Sequence, residues 1–91
     1  MGDAWFTEAK FDDYADFHSA TFGGAAEFGG AKFAGNTSFH AATFGAEACF
    51  RTTTFAVDPD FEDATFRPDQ PPQWPDGFAE PARIRWATAL V

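Results

Sequence analysis

Residues 4–25 read AWFTE AKFDDY ADFHS ATFGGA, four short copies of one unit, each with phenylalanine in third place. The unit continues well beyond this stretch. Phe6, Phe11, Phe17, Phe22, Phe28, Phe33, Phe39, Phe44, Phe50, Phe55, Phe61 and Phe66 follow one another at steps of five and six in strict alternation. Two positions before each stands a small residue, from Ala4 and Ala9 to Ala64, with Thr37, Thr53 and Pro59 as the exceptions to alanine. Alternate copies carry one additional residue: Tyr14, Ala25, Asn36, Glu47 and Asp58. An internal repeat of this regularity decides the fold before any local propensity does.

No continuous element accommodates the pattern. On an α-helix, steps of five and six residues rotate by roughly 140° and 240°, scattering the rings around the axis. Along an unbroken strand, a step of five sends the next ring to the opposite face. A turn within every copy resolves both conflicts, because each short strand then aims its Phe inward. Within a copy, the small residue and the Phe share a parity and face inward together, while the residue between them faces out. The chain therefore reads as a solenoid.

The repeated A-x-F-x-x resembles the pentapeptide-repeat family, in an 11-residue variant of alternating five- and six-residue copies. The resemblance covers residues 4–68 and implies an all-β fold, a right-handed quadrilateral β-helix with four copies per coil. Four copies take 22 residues here, so positions n and n+22 are expected to stack about 4.8 Å apart. Three complete coils follow, with the six-residue copies making wider corners on two of the four edges.

Two segments are expected: the solenoid over 1–68, and a Pro-rich turn, aromatic cap and apolar end over 69–91. Asp69-Gln70-Pro71-Pro72-Gln73 is turn and polyproline chemistry. Trp74 and Phe78 are placed to cover the last coil, since a solenoid end needs a cover. Pro81, followed by Ile84, Ala87 and Leu90, is compatible with one short amphipathic helix, and Ile84-x-Trp86 equally with a strand. The family resemblance also implies homodimerisation through such a C-terminal segment, with Ile84, Trp86, Leu90 and Val91 as candidate contacts. Folding back over the cap is the alternative.

Composition narrows the function classes. Thirteen Phe stand against one Ile, one Leu and two Val, as expected when one structural slot is reused. The formal net charge of −8 argues against direct binding of nucleic acid or anionic membrane, which relies on Lys and Arg. It permits a basic protein partner, including one that itself binds DNA. The single cysteine, Cys49, excludes an intrachain disulfide, and no apolar run approaches the roughly 20 residues of a spanning helix. The expected location is cytoplasmic.

Acidic residues gather near both ends of the repeat, and Asp12, Asp13, Asp16, Asp60, Glu62 and Asp63 form the candidate partner surface. Solubility and suppression of end-to-end stacking explain such charge without a partner. The resemblance adds a sharper alternative, an acidic surface that mimics DNA and binds a type II topoisomerase (DNA gyrase), inhibiting it or protecting it from drugs. A module of a longer repeat protein is a third reading. Thr21, Thr43 and Thr65 form one outward rank, read as a hydroxyl ladder, and His18 and His40 stack above Glu62, read as solvated histidines, with fortuitous chelation of an ion as the alternative. No nucleophile–base pair, phosphate loop, metal-ligand spacing or cofactor motif stands out, so neither catalysis nor a cofactor is expected. The expected role is a non-enzymatic scaffold or protein-interaction module.

Overall fold

The computed structural model describes residues 3–87. Their strands are two residues long and number twelve in chain order, collected into four parallel sheets that form the four sides of a right-handed β-solenoid. The first side holds β1 (Ala4–Trp5), β5 (Ala26–Glu27) and β9 (Ala48–Cys49). The second holds β2 (Lys10–Phe11), β6 (Lys32–Phe33) and β10 (Thr54–Phe55). The third pairs β3 (Ala15–Asp16) with β7 (Thr37–Ser38). The fourth holds β4 (Thr21–Phe22), β8 (Thr43–Phe44), β11 (Thr65–Phe66) and β12 (Arg85–Trp86). Register is n to n+22 from the first coil to the third: Ala4 lies opposite Ala26, Phe11 opposite Phe33, Asp16 opposite Ser38 and Phe22 opposite Phe44.

Two kinds of corner alternate, and they correspond to the two copy lengths. Each five-residue copy ends in a tight turn closed by an i→i+3 hydrogen bond, as from Ala9 N–H to Phe6 C=O and from Ala42 N–H to Phe39 C=O. The third residue of that turn is left-handed: Glu8, Ser19, Ala41, Thr52 and Asp63 have φ of 58–63°, and Gly30 has 73°. Only Gly30 is of the type that adopts this region without steric cost. The inserted residues of the six-residue copies have no positive φ. Their extra length rounds the corner instead.

Inside, the rings form four columns. Phe17, Phe39 and Phe61 stack face to face with centroids 4.9 Å apart at both steps and planes within 6°. Phe22, Phe44 and Phe66 do the same at 5.0 and 4.8 Å. Opposite columns meet edge to face: Phe28 meets Phe39 at 5.4 Å and 88°, and Phe39 meets Phe50 at 5.5 Å and 81°. Edge-to-face contact sets the positive ring edge against the negative face of its neighbour. Ala26, Ala31, Ala42, Ala48 and Ala64 are fully buried beside the rings, where a larger side chain has no room.

The C-terminal segment corrects one expectation and decides between two others. The chain does not stop at three coils but winds about a fourth turn, with Trp74 continuing the column of Phe50 at 5.5 Å and Phe78 meeting Phe55 at 5.6 Å. Residues 85 and 86 are a strand, not a helix: β12 pairs with β11, Arg85 opposite Thr65 and Trp86 opposite Phe66. Ile84 is half-buried against the core. Helix loses because the open edge at β11 offers ladder partners: Arg85 N–H donates to Ala64 C=O and Ala87 N–H to Phe66 C=O, both at 2.7 Å. The coil length is irregular here, since Cys49 bridges Gln73, 24 residues on, whereas Thr65 pairs with Arg85, 20 residues on. Leu90 and Val91 lie outside the described residues. At the opposite end, the rings of Phe6, Phe11 and Phe17 are only half-buried. Among the described residues, no helix is long and apolar enough to cross a membrane.

Candidate interaction surface

With the interior filled by rings, chemistry is confined to outward columns. On the third side, Asp16, Ser38 and Asp60 form one column and His18, His40, Glu62 and Arg83 the next. Each coil repeats one local device there. Asp16 Oδ1 accepts from His18 N–H at 2.9 Å, Ser38 Oγ from His40 N–H at 3.3 Å, and Asp60 Oδ1 from Glu62 N–H at 2.9 Å. A short polar side chain that satisfies the N–H two residues on stabilises the following turn. Two of the six candidate acids thus have a structural duty as well as a charge.

The structure divides the proposed acidic surface. Asp60, Glu62 and Asp63 lie together at one turn of the third coil, but two of them meet arginines of the last coil. Arg83 Nη1 lies 3.4 Å from Glu62 Oε2, and Arg85 Nε lies 3.1 Å from Asp63 Oδ1. Arg67 forks onto Asp69 through Nε and Nη2 at 3.0 and 3.1 Å. That hydrogen bonding holds the Asp69 carboxyl below, and the Arg67 guanidinium above, their ordinary pKa values. Asp63 and Arg85 have the 22-residue spacing of the repeat, whereas Glu62 and Arg83, 21 residues apart, are brought together by the shortened last turn, in which Asp63 N–H donates to Arg83 C=O.

Around the first coil the picture differs. Asp12 and Asp13 form no ion pair among the described residues, and they run into the corner residue Tyr14, which is 60% exposed. Asp16 begins the next side directly after it. Trp5, 70% exposed, stands outward on the first side, in the column of Glu27, Cys49 and Gln73. Composition alone had not singled out these two aromatics. Their outward slots in the repeat were the available signal.

The other outward features fall as expected from their slots. Thr21, Thr43 and Thr65 stack in register, and Arg85 extends their rank. His18 and His40 stack ring on ring at 5.2 Å and 7°. Cys49 is a half-buried free thiol. A shallow hollow of about 280 Å³ opens beside Arg51, Thr53, Thr54, Trp74 and Asp76. Of the candidate cap contacts, Trp74, Phe78 and Ile84 lie against the core, while Trp86 is 44% exposed. Compared with known proteins, the chain matches no family model, no curated protein and no solved structure.

Proposed function

We propose that this chain is a non-enzymatic interaction module of the pentapeptide-repeat type, located in the cytoplasm, whose outer faces meet a basic protein. One observation carries the reading: exposed Asp12, Asp13 and Asp16 flank the exposed corner residue Tyr14 along the chain. Exposed tyrosine is a common interface anchor, and flanking acids steer a basic partner toward it. Ladder bonds hold the backbone on both sides of this corner, from Ala34 N–H to Phe11 C=O and from Ala15 N–H to Asn36 C=O, which lowers the ordering entropy that opposes binding. Trp86, exposed on the last coil, is the contact through which we expect two copies to meet and lengthen the rod.

The test compares the wild-type chain with a variant carrying Asp12→Lys, Asp13→Lys and Asp16→Ser, the last retaining a turn-capping oxygen. Both are used as bait in the same cross-linking capture, with melting curves to verify folding. Proteins retained by the wild type and lost by the variant support the reading. Identical capture by two equally stable baits sinks it.

Mimicry of DNA toward a type II topoisomerase is the second reading, and the acids of the first coil, which form no ion pair among the described residues, favour it. Arginines 67, 83 and 85 interrupt the charge near the other end, so the mimic depends on a dimer that doubles its length. A gyrase supercoiling assay at micromolar protein decides the matter. Unchanged supercoiling together with unchanged drug sensitivity eliminates the mimic. Light scattering of wild type and Trp86→Glu reads the dimer separately.

A further inference from the structure

The winding of the coil brings together three side chains that sequence spacing holds 20 and 22 residues apart. We propose that His40, Asp60 and Glu62 form a binding site for a single divalent transition-metal ion of the zinc, cobalt and nickel class. Their donor atoms all lie within 4.8 Å of one another. A tetrahedral ion with bonds of 2.0–2.2 Å holds its donors roughly 3.4 Å apart. The closest approach of His40 Nδ1 to Asp60 Oδ2 is 3.9 Å. Closing the set therefore shortens donor separations by up to about 1.4 Å, which half-exposed side chains share between them by χ rotations. The exposures are 34% for His40, 53% for Asp60 and 45% for Glu62, which leaves the remaining coordination positions open to water.

The backbone beneath this trio is held on both sides. Phe39 N–H donates to Asp60 C=O at 2.7 Å, Asp60 N–H to Thr37 C=O at 2.9 Å, and Ala41 N–H to Glu62 C=O at 2.9 Å. The two coils that supply the ligands thus keep a fixed separation. The Asp60 carboxylate is oriented as well: Oδ1 accepts the Glu62 N–H, and Oδ2 faces His40. Hydrogen-bonded outer partners of this sort orient metal-binding carboxylates and raise affinity. The His18 ring, stacked 5.2 Å above, limits how far His40 turns away.

Donor chemistry sets the ion class. One imidazole with two carboxylates suits zinc, cobalt and nickel, whereas calcium and magnesium prefer sites built wholly from oxygen. The competitor is intramolecular. Arg83 reaches Glu62 at 3.4 Å and must release it when an ion binds.

The experiment uses the full chain in two readings, calorimetric titration with zinc and observation of histidine ring protons during addition of cobalt. The expected result is one ion per chain, with His40 signals shifted first and excess calcium or magnesium failing to displace the ion. His40→Ala and Glu62→Gln are each expected to weaken binding by about tenfold or more. Arg83→Ala should tighten it, and His18→Ala, which frees the His40 ring to turn but removes no ligand, should weaken it less than His40→Ala does. All these positions are on the surface, so melting curves identify any variant that is misfolded. Absence of saturable zinc binding overturns the proposal. Equal affinity in His40→Ala, or calcium binding as tight as zinc, would mark a general attraction of cations to an acidic protein and overturns it too.

Discussion

Thr37 and Thr53 occupy the same inward slot on adjoining sides of the solenoid, and only Thr53 finds a hydrogen-bond partner for its hydroxyl. Thr53 Oγ1 donates to Phe28 C=O at 2.6 Å, whereas buried Thr37 Oγ1 has no partner among the described residues. Replacing each by valine keeps the volume and removes the hydroxyl. Thr53→Val is expected to cost about 1 kcal/mol, the net worth of a typical internal hydrogen bond. Thr37→Val is expected to stabilise by a similar ~1 kcal/mol, since a buried unsatisfied hydroxyl carries a desolvation penalty. Urea melts of the two variants should move in opposite directions.

Ring burial is graded along the rod, and stability should follow it. Phe39 is fully buried between Phe17 and Phe61 and between facing columns, whereas Phe6 lies half-buried at the first coil. Phe39→Ala should destabilise by about 3–5 kcal/mol, combining lost transfer energy with an unfilled cavity. Phe6→Ala should cost roughly half as much or less, because water already reaches the ring. Equal losses at both sites in denaturant titration would contradict a core organised by coil.

Thr52 marks a position where the natural residue opposes its own backbone. Its φ of 58° is left-handed, a region unfavourable to a β-branched side chain, and the side chain is exposed. Gly30 occupies the equivalent corner one coil earlier. Thr52→Gly should raise stability by roughly 1 kcal/mol, after allowing for the greater freedom of glycine in the unfolded chain. For a domain of this size that corresponds to a melting-point increase of about 4–8 °C. A decrease would show that the corner is held by the side chain and not strained by it.

Trp74 closes the last coil over several rings at once. It stacks on Phe50 at 5.5 Å and 13°, meets Phe61 and Phe66 edge-on at 5.2 and 5.7 Å, and lies 5.3 Å from Phe78. Trp74→Ala should cost about 3–5 kcal/mol and leave apolar surface open to a hydrophobic dye. Increased dye fluorescence together with retained β-type circular dichroism is the expected signature. Stability equal to that of wild type would show that the fourth turn is dispensable to the first three.

The four Phe columns, the inward alanines and the 22-residue coil were legible in the order of residues, because one unit repeats and its parity admits only one placement. The positions of Asp16, Asp60, His18 and His40 in neighbouring columns followed from the same count. The fourth turn did not follow. Between Phe66 and Trp86 the repeat length changes twice, so a period read from earlier coils no longer predicts which residues face in.

The repetition of a small residue and a ring at fixed parity made the solenoid, its interior and its side-by-side columns inevitable, since each copy obeys the same local geometry as its neighbours. Three-dimensional packing settled the rest: the fourth turn itself, the strand at Arg85–Trp86 and the pairing of Arg83 with Glu62 one coil earlier. Those outcomes depend on how an irregular last turn meets an open sheet edge. Distances across coils, not spacing along the chain, control such contacts.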